Sequence, residues 1–356
     1  MHFVIDILSL DKADASIIWA RDSTRDYVVF LDAGKKADAG LVLDHFNACI
    51  KDALGPSPYL IAVNTHMHSD HLGGMEQLLT QLHQQGNKVE AVYFNNPVGP
   101  WGSRLLLREV QQKTRLLFFA EFRLQGRAQF LAESLKQASS LEKQLQHLGI
   151  AHRNAFAGTT LLPKPHQDHL RILGPSPAFF QQMMQQAGRQ LSWNLLPSQQ
   201  LAEAEAIIDP CRAIANRQDP SHDNKASVVI ELITAQGDRC LFTADASEPS
   251  FAAIEKGSHQ LSHYHLVQLP HHGSRYNLNA ARMQKFGADR FWVAAPNDGM
   301  HPGPDLLRCL EQTVPGCAIY STGDLPRGSC QRFITNRLAF TPCTNAARQE
   351  ALGQMS

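Results

Sequence analysis

The run Asn64-Thr-His-Met-His-Ser-Asp-His-Leu-Gly-Gly74 constrains this chain more than any other stretch. Six residues hold His66, His68, Asp70 and His71, three imidazoles and a carboxylate. The apolar Tyr59-Leu-Ile-Ala-Val63 ahead of it predicts a buried strand. The segment from Leu72 to about Gln85 predicts a helix opening at Gly73-Gly74. Packing four such groups at a strand-to-helix turn without a cation is costly, because each buried polar atom needs its own hydrogen-bond partner. Imidazole nitrogen and carboxylate oxygen are ligands for zinc, and also for manganese or iron.

The rest of the chain can support a folded site of this kind. Hydrophobic residues make up 43% of 356, enough for a sizeable core and against global disorder. Lys+Arg and Asp+Glu both number 33, a balance that argues against a protein devoted to non-specific nucleic-acid binding. A local basic segment remains: Arg104, Arg108, Lys113, Arg115, Arg123 and Arg127 face only Glu109 and Glu121 between Trp101 and Arg127. Seven scattered cysteines without a CxxC predict no disulfide framework and a reducing, cytoplasmic compartment. The opening Met-His-Phe-Val-Ile-Asp6 has no basic n-region or long apolar core, so no leader is expected, and no apolar run reaches membrane-span length.

Strand-like and helical pieces alternate over the first hundred residues and again from Ser227 to Ser321. Between them, Ser103 to Leu148 has helical spacing and reads as a helical insertion over roughly 101–165. Residues 185–222 read as an irregular loop. The whole, 1–356, is expected as one α/β domain with layered sheets.

Apolar strands repeatedly run into reactive polar residues. Val28-Val-Phe-Leu31 meets Asp32-Ala-Gly34, and Leu60-Ile-Ala-Val63 leads to His66. Cys240-Leu-Phe-Thr243 leads to Asp245, and Leu266-Val-Gln-Leu-Pro270 to His271-His-Gly-Ser274. Phe291-Trp-Val-Ala-Ala295 leads to Asn297, Asp298 and His301. Strand ends along one edge of a sandwich can converge on one site. These residues resemble the metallo-β-lactamase superfamily, and more finely its soluble ComEC-like branch. There a strand ending Asp-x-Gly, an HxHxDH run, a Ser-opened strand, a Gly-Asp-like turn and HHGS follow in order. Here they stand as Asp32-Ala-Gly34, His66 to His71, Ser227-Val-Val-Ile230, Thr243-Ala-Asp245 and His271 to Ser274. The resemblance covers the chain except about 101–165 and 181–220. It implies a four-layer αββα sandwich with a helical insertion.

It also implies two divalent cations, zinc first and manganese or iron as alternatives. His66 and His68 would hold one and Asp70 and His71 the other, with Asp245 bridging. One histidine of the 271–272 pair would complete the second, with His272 favoured as ligand and His271 on the substrate side. The third ligand of the first cation falls at Asp223 or His222, an alternative the residues leave open; His222 is the candidate carried forward. Asp32 is expected to orient a ligand histidine through its free ring N–H. Asp70 would orient and deprotonate the attacking water, and His271 or His301 would protonate the leaving group.

Fold does not choose a substrate. The branch, an oxygen-rich site and a helix N-terminus after Leu72 that favours anions point to a phosphodiesterase, and the basic 101–127 segment adds a possible nucleic-acid path. The alternatives are an ester, lactone or thioester hydrolase with Leu105-Leu-Leu107 and Leu116-Leu-Phe-Phe119 as an apolar lid, and a non-enzymatic, metal-stabilised interaction module.

Overall fold

The structure, a computed structural model, describes residues 1–119, 127–193, 209–215, 217–295 and 300–343. Its first sheet contains β1 (Phe3–Leu8), β2 (Ser16–Arg21), β3 (Asp26–Leu31), β4 (Tyr59–Val63), β5 (Val89–Tyr93) and β6 (Ala151–Arg153). Its second contains β7 (Leu170–Gly174), β8 (Val229–Ile233), β9 (Arg239–Phe242), β10 (Leu266–Gln268), β11 (Arg290–Val293) and β12 (Ala318–Ser321). The chain then returns to the first sheet with β13 (Cys330–Ile334) and β14 (Ala339–Pro342). The first sheet therefore runs β14-β13-β1-β2-β3-β4-β5-β6 and the second β12-β11-β10-β9-β8-β7. The metal-type residues follow strands β3, β4, β9, β10 and β11, which belong to the parallel portions of the two sheets.

Side-chain alternation builds the layers. In β1, Phe3, Ile5 and Ile7 point between the sheets, with Val29, Leu31, Ile61 and Val63. They meet Ile172, Ile230, Phe242, Leu266 and Trp292 from the second sheet. Val4 and Leu8 take the opposite face, under Val42 and Phe46 of the helix Ala39–Cys49 and Leu78 and Leu82 of the helix Met75–Gln84. The outer face of the second sheet is covered by Phe251 and Ile254, Met283 and Phe286, and Leu306 and Leu310, from the helices Glu248–Lys256, Ala280–Phe286 and Pro304–Thr313. The order is helices, sheet, sheet, helices. Residues such as Ile61 and Val63 carry it: each is fully buried, and truncation of such a side chain to alanine typically costs about 1–4 kcal/mol.

Three expectations change. Residues 101–165 divide. Leu106 and Val110 of the helix Arg104–Phe119 pack in a satellite core with Met67, Phe180 and Met184. The helix Arg127–Leu148 also enters the main core through Ala138, Leu141 and Leu145, and the segment ends in β6, a strand of the first sheet. The loop expected over 185–222 begins as helix, since Pro177–Trp193 is one long element, and Pro210–Ala215 is another helix. Cys211–Cys309 and Cys330–Cys343 are bonded pairs, with Cα separations of 4.7 and 5.6 Å. Cys211 and Cys309 are 98 residues apart and meet only across packed helices, while Cys330 and Cys343 are brought opposite each other by the pairing of β13 with β14. No helix among the described residues is long and apolar enough to cross a membrane.

Candidate metal centre

The centre starts from Asp32 at the end of β3. Its backbone is left-handed (φ 58°), an unfavourable conformation for a non-glycine residue, and its N–H donates to Val63 O at 2.9 Å. That posture aims the carboxylate across the end of β4. Asp32 Oδ1 accepts from the Thr65 N–H at 2.7 Å and from Asn64 Nδ2 at 3.1 Å. Oδ2 accepts from Thr65 Oγ1 and from His71 Nδ1, both at 2.7 Å. Spending the His71 Nδ1 proton on Asp32 leaves Nε2 facing Asp245 Oδ1 at 3.3 Å. Gly74 lets the run fold this tightly: a Cβ there would meet Ala33 O at 2.1 Å. The anion site expected at the helix start is not built this way. A one-turn helix, Ser69–Leu72, intervenes, and Gly74 N donates to Gly34 O at 2.9 Å.

The second sheet supplies the opposing wall. Ala244 is left-handed (φ 45°), and Gln268 Oε1 accepts from the Thr243 and Ala244 N–H groups at 3.0 Å each, fixing the turn that presents Asp245. Asp245 lies between the two groups of histidines, with His66 Nε2 3.5 Å from Oδ2 and His71 Nε2 on the other oxygen. His271 (φ 51°) and His272 (φ 53°) are both left-handed and so point apart. His272 is buried. Its Nδ1 donates to Ala294 O at 2.6 Å, and its Nε2 stands 3.3 Å from Asp70 Oδ2. His271 is half-buried, with Nδ1 3.4 Å from Asp219 Oδ2 and Nε2 3.7 Å from Asp245 Oδ2. Gly273 (φ 73°) closes this turn against Pro302, 2.7 Å from where a Cβ would sit, and so brings in His301. The His301 ring centroid is 6.1 Å from that of His271 and 6.4 Å from that of His272.

Six of the expected ligands, His66, His68, Asp70, His71, Asp245 and His272, are thus brought together. At the third position the structure places the two candidates, Asp223 and His222, differently. Asp223 is buried with its Oδ2 against His68 Nε2, while His222, its neighbour at the start of the helix His222–Lys225, is half-buried. Asn297 and Asp298 lie outside the described residues.

Asp14, just before β2, is the residue that sequence reasoning missed. One ligand atom each from Asp14, His71, Asp245 and His272 lies within 4.8 Å of the others, as holds separately for His66, His68 and Asp245. Gln268 Nε2 donates to Asp14 Oδ2 at 3.3 Å. A lone aspartate between alanines carries no motif; its burial ahead of an apolar strand is the only signal.

Charge and desolvation are finely opposed here. Burial works against a charged His71, but the Asp245 and Asp32 carboxylates outweigh it and hold the ring well above its usual pKa. Burial, aided by His71, pushes His66 down to about 4. Burial lifts Asp14 to about 6 despite His272 and His71. For Asp245, His271, His71 and His66 overcome burial and keep it ionised. Among the described residues, five ligand-type atoms of these two clusters and Asp70 are nevertheless buried without a hydrogen-bond partner: His66 Nε2, His71 Nε2, Asp70 Oδ1, Asp245 Oδ1 and Asp14 Oδ1. Left unsatisfied, each costs about 1–3 kcal/mol. All five are electron-pair donors of the types that bind divalent cations, so the residues present fit a metal pair.

The four layers, with this cluster gathered where the strands of both sheets end, decide the architecture. It is the four-layer αββα sandwich expected from the sequence. No protein-family model matches the chain, and no curated protein matches it in sequence. Among solved structures it is similar to the metallo-β-lactamase fold protein YhfI from Bacillus subtilis, with 10% identity, a TM-score of 0.40, and coverage of 90% of this chain and 96% of that one. It is also similar to the short form of human tRNase Z, with 14% identity, a TM-score of 0.32, and coverage of 89% and 93%. Met67 anchors the loop that carries His66 and His68. It points away from its histidine neighbours into the satellite core formed with Leu106, Leu135 and Phe180.

Proposed function

We propose that this protein is a metal-dependent hydrolase of the ComEC-like kind and that its substrate is a phosphodiester. The observation that carries the reading is the set of five buried, unsatisfied donor atoms around Asp245. His66, His68 and Asp223 would hold one cation, and Asp70, His71, His272 and Asp14 the other, with Asp245 shared. When bound, two such cations acidify water toward neutral pH and offset negative charge on the group under attack. The protein's own residues do the rest. Asp32 and the Ala294 carbonyl hold the His71 and His272 protons at Nδ1, so that Nε2 is the atom each ring would offer a cation, which would displace any proton there. Asp70 Oδ1 takes the proton of the attacking water. His271, anchored by Asp219 and partly open to solvent, donates a proton at Nε2 to the leaving oxygen, and His301 flanks it.

Four carboxylates (Asp14, Asp70, Asp223 and Asp245) make the donor set oxygen-rich. That suits cations that handle phosphate, and manganese joins zinc as a candidate. Arg104 and Arg108 are exposed on the helix whose Leu106 packs with Met67, and they offer positive charge to a nucleic-acid backbone. Of the residues considered for an apolar lid, Leu106 is buried in the satellite core, which counts against its part in one.

The test is metal-stripped and reconstituted protein against bis-p-nitrophenyl phosphate, single- and double-stranded nucleic acids, and lactone and thioester substrates. Metal-dependent phosphodiester cleavage is the expected result. Ester turnover without phosphodiester cleavage overturns the substrate, and bound metal with no turnover of any kind leaves an interaction module.

A further inference from the structure

A second group of ligand-type side chains is gathered on the face of the first sheet that the helix Ala39–Cys49 covers. Asp6 lies on β1, His45 on that helix, Cys330 at the start of β13 and Cys343 just after β14. One ligand atom from each lies within 4.8 Å of the other three. Asp6, His45 and Cys330 are buried, and Cys343 is half-buried, which leaves the cluster one approach from solvent. None of these residues takes part in the hydrolytic centre.

We propose that, in its dithiol form, this cluster is a structural zinc site with Cys330 and Cys343 as thiolates, His45 as imidazole and Asp6 as carboxylate. Two sulfurs in the donor set select zinc over magnesium, calcium or manganese, and four protein ligands make a closed site rather than a catalytic one. The charges balance. Two thiolates and one carboxylate face a divalent cation and the Arg332 guanidinium, which is itself buried. Arg332 donates to Asp6 through Nε at 2.7 Å and Nη2 at 2.6 Å, and it lies over the Trp19 ring at 5.2 Å, so the carboxylate is held in place from behind. Arg332 Nη1 is buried without an acceptor. His45 Nε2 and Asp6 Oδ2 are 2.9 Å apart, a hydrogen bond whose proton is released when the ring binds a cation.

The two sulfurs form a disulfide in the structure, from Cα atoms 5.6 Å apart. Two thiolates on one zinc stand about 3.8 Å apart, within reach of side-chain torsions at that Cα spacing. Reduction by a thiol or phosphine gives both electrons to the sulfurs and opens the site. The ligands come from opposite ends of the chain, Asp6 and Cys343, so zinc would pin the returning β13–β14 pair to β1 and to the helix above it.

The test uses the full-length chain, reduced with a phosphine, stripped of metal and titrated with Co2+. The expected result is a thiolate-to-cobalt charge-transfer band, which the hydrolytic centre, made of nitrogen and oxygen ligands, cannot produce. Cys330→Ser and Cys343→Ser should each lose the band and about one equivalent of zinc per chain, while Asp245→Asn keeps the band. Absence of the band in reduced wild-type protein, or its survival in both serine variants, overturns the site. Should a serine variant unfold, alkylation of the wild type decides: zinc must slow the labelling of Cys330 and Cys343, and an unchanged rate refutes the proposal.

Discussion

The two halves of the candidate metal centre are built differently. The Asp70–His71–His272 half draws on both sheets. Its rings are each fixed from behind, His71 by the Asp32 carboxylate and His272 by the Ala294 carbonyl, and Gln268 steadies Asp14 beside them. The His66–His68 half leans on the Thr65 hydroxyl, 3.2 Å from His66 Nδ1, which also serves Asp32, and on Asp223 from a one-turn helix. Fixed outer partners raise metal affinity. The difference therefore teaches that the two cations should not bind alike: chelation should empty the His66–His68 half first.

The largest effect should come from removing what the halves share. Asp245→Asn should release both cations and lower phosphodiester cleavage by roughly 10³-fold or more, read by metal analysis and kcat/KM. Next, His68→Ala should lose one cation and retain the other, whereas His71→Ala should lose the tighter one. A His68→Ala protein that keeps both its metal content and its activity contradicts the site assignment. Asp32→Asn leaves every ligand in place and should weaken metal binding by about 10–100-fold, seen by calorimetric titration as a selective loss at the second half.

Asp14 sharpens the comparison through pH. Its folded pKa is raised to about 6 from an ordinary 3.8, so in metal-free protein its ionisation opposes folding. The contribution of Asp14 is therefore fully present below about pH 4 and is lost as pH rises through 6. Asp14→Asn should remove that loss. In chelator at pH 8 the variant should be more stable by about 1–3 kcal/mol, since each pH unit between the two pKa values is worth about 1.4 kcal/mol; at pH 4 the gain should vanish. With metal present the order should reverse, because a ligand is gone. The smallest effect belongs to His222→Ala, which should change metal content and turnover by less than about 3-fold, against a clear loss for Asp223→Asn.

Much of this centre is legible in the sequence because its residues sit at the ends of apolar strands. The Asp32-Ala-Gly34, His66–His71, Asp245 and His271–His272 elements each follow such a strand. The contact expected of Asp32 with a histidine ring N–H is made to His71 Nδ1. The rest depends on tertiary packing. Asp14 is a single aspartate between alanines, and only the sandwich brings it to His71. Asp223 and His222 are adjacent in sequence, and a one-turn helix decides which faces inward. Strands β13 and β14 pass unnoticed because buried Arg332 interrupts their apolar pattern; its partner Asp6 is 326 residues away. The helix Arg127–Leu148 looks like an addition in sequence, yet it packs on the first sheet through Ala138, Leu141 and Leu145.

The account is tested most directly by anomalous diffraction from crystals of the protein loaded with manganese or zinc. It predicts two peaks at the strand ends on either side of the Asp245 carboxylate, one among His66, His68 and Asp223 and one among Asp70, His71, His272 and Asp14. A single peak that leaves Asp245 to one side, or no peak within reach of Asp245, would contradict it.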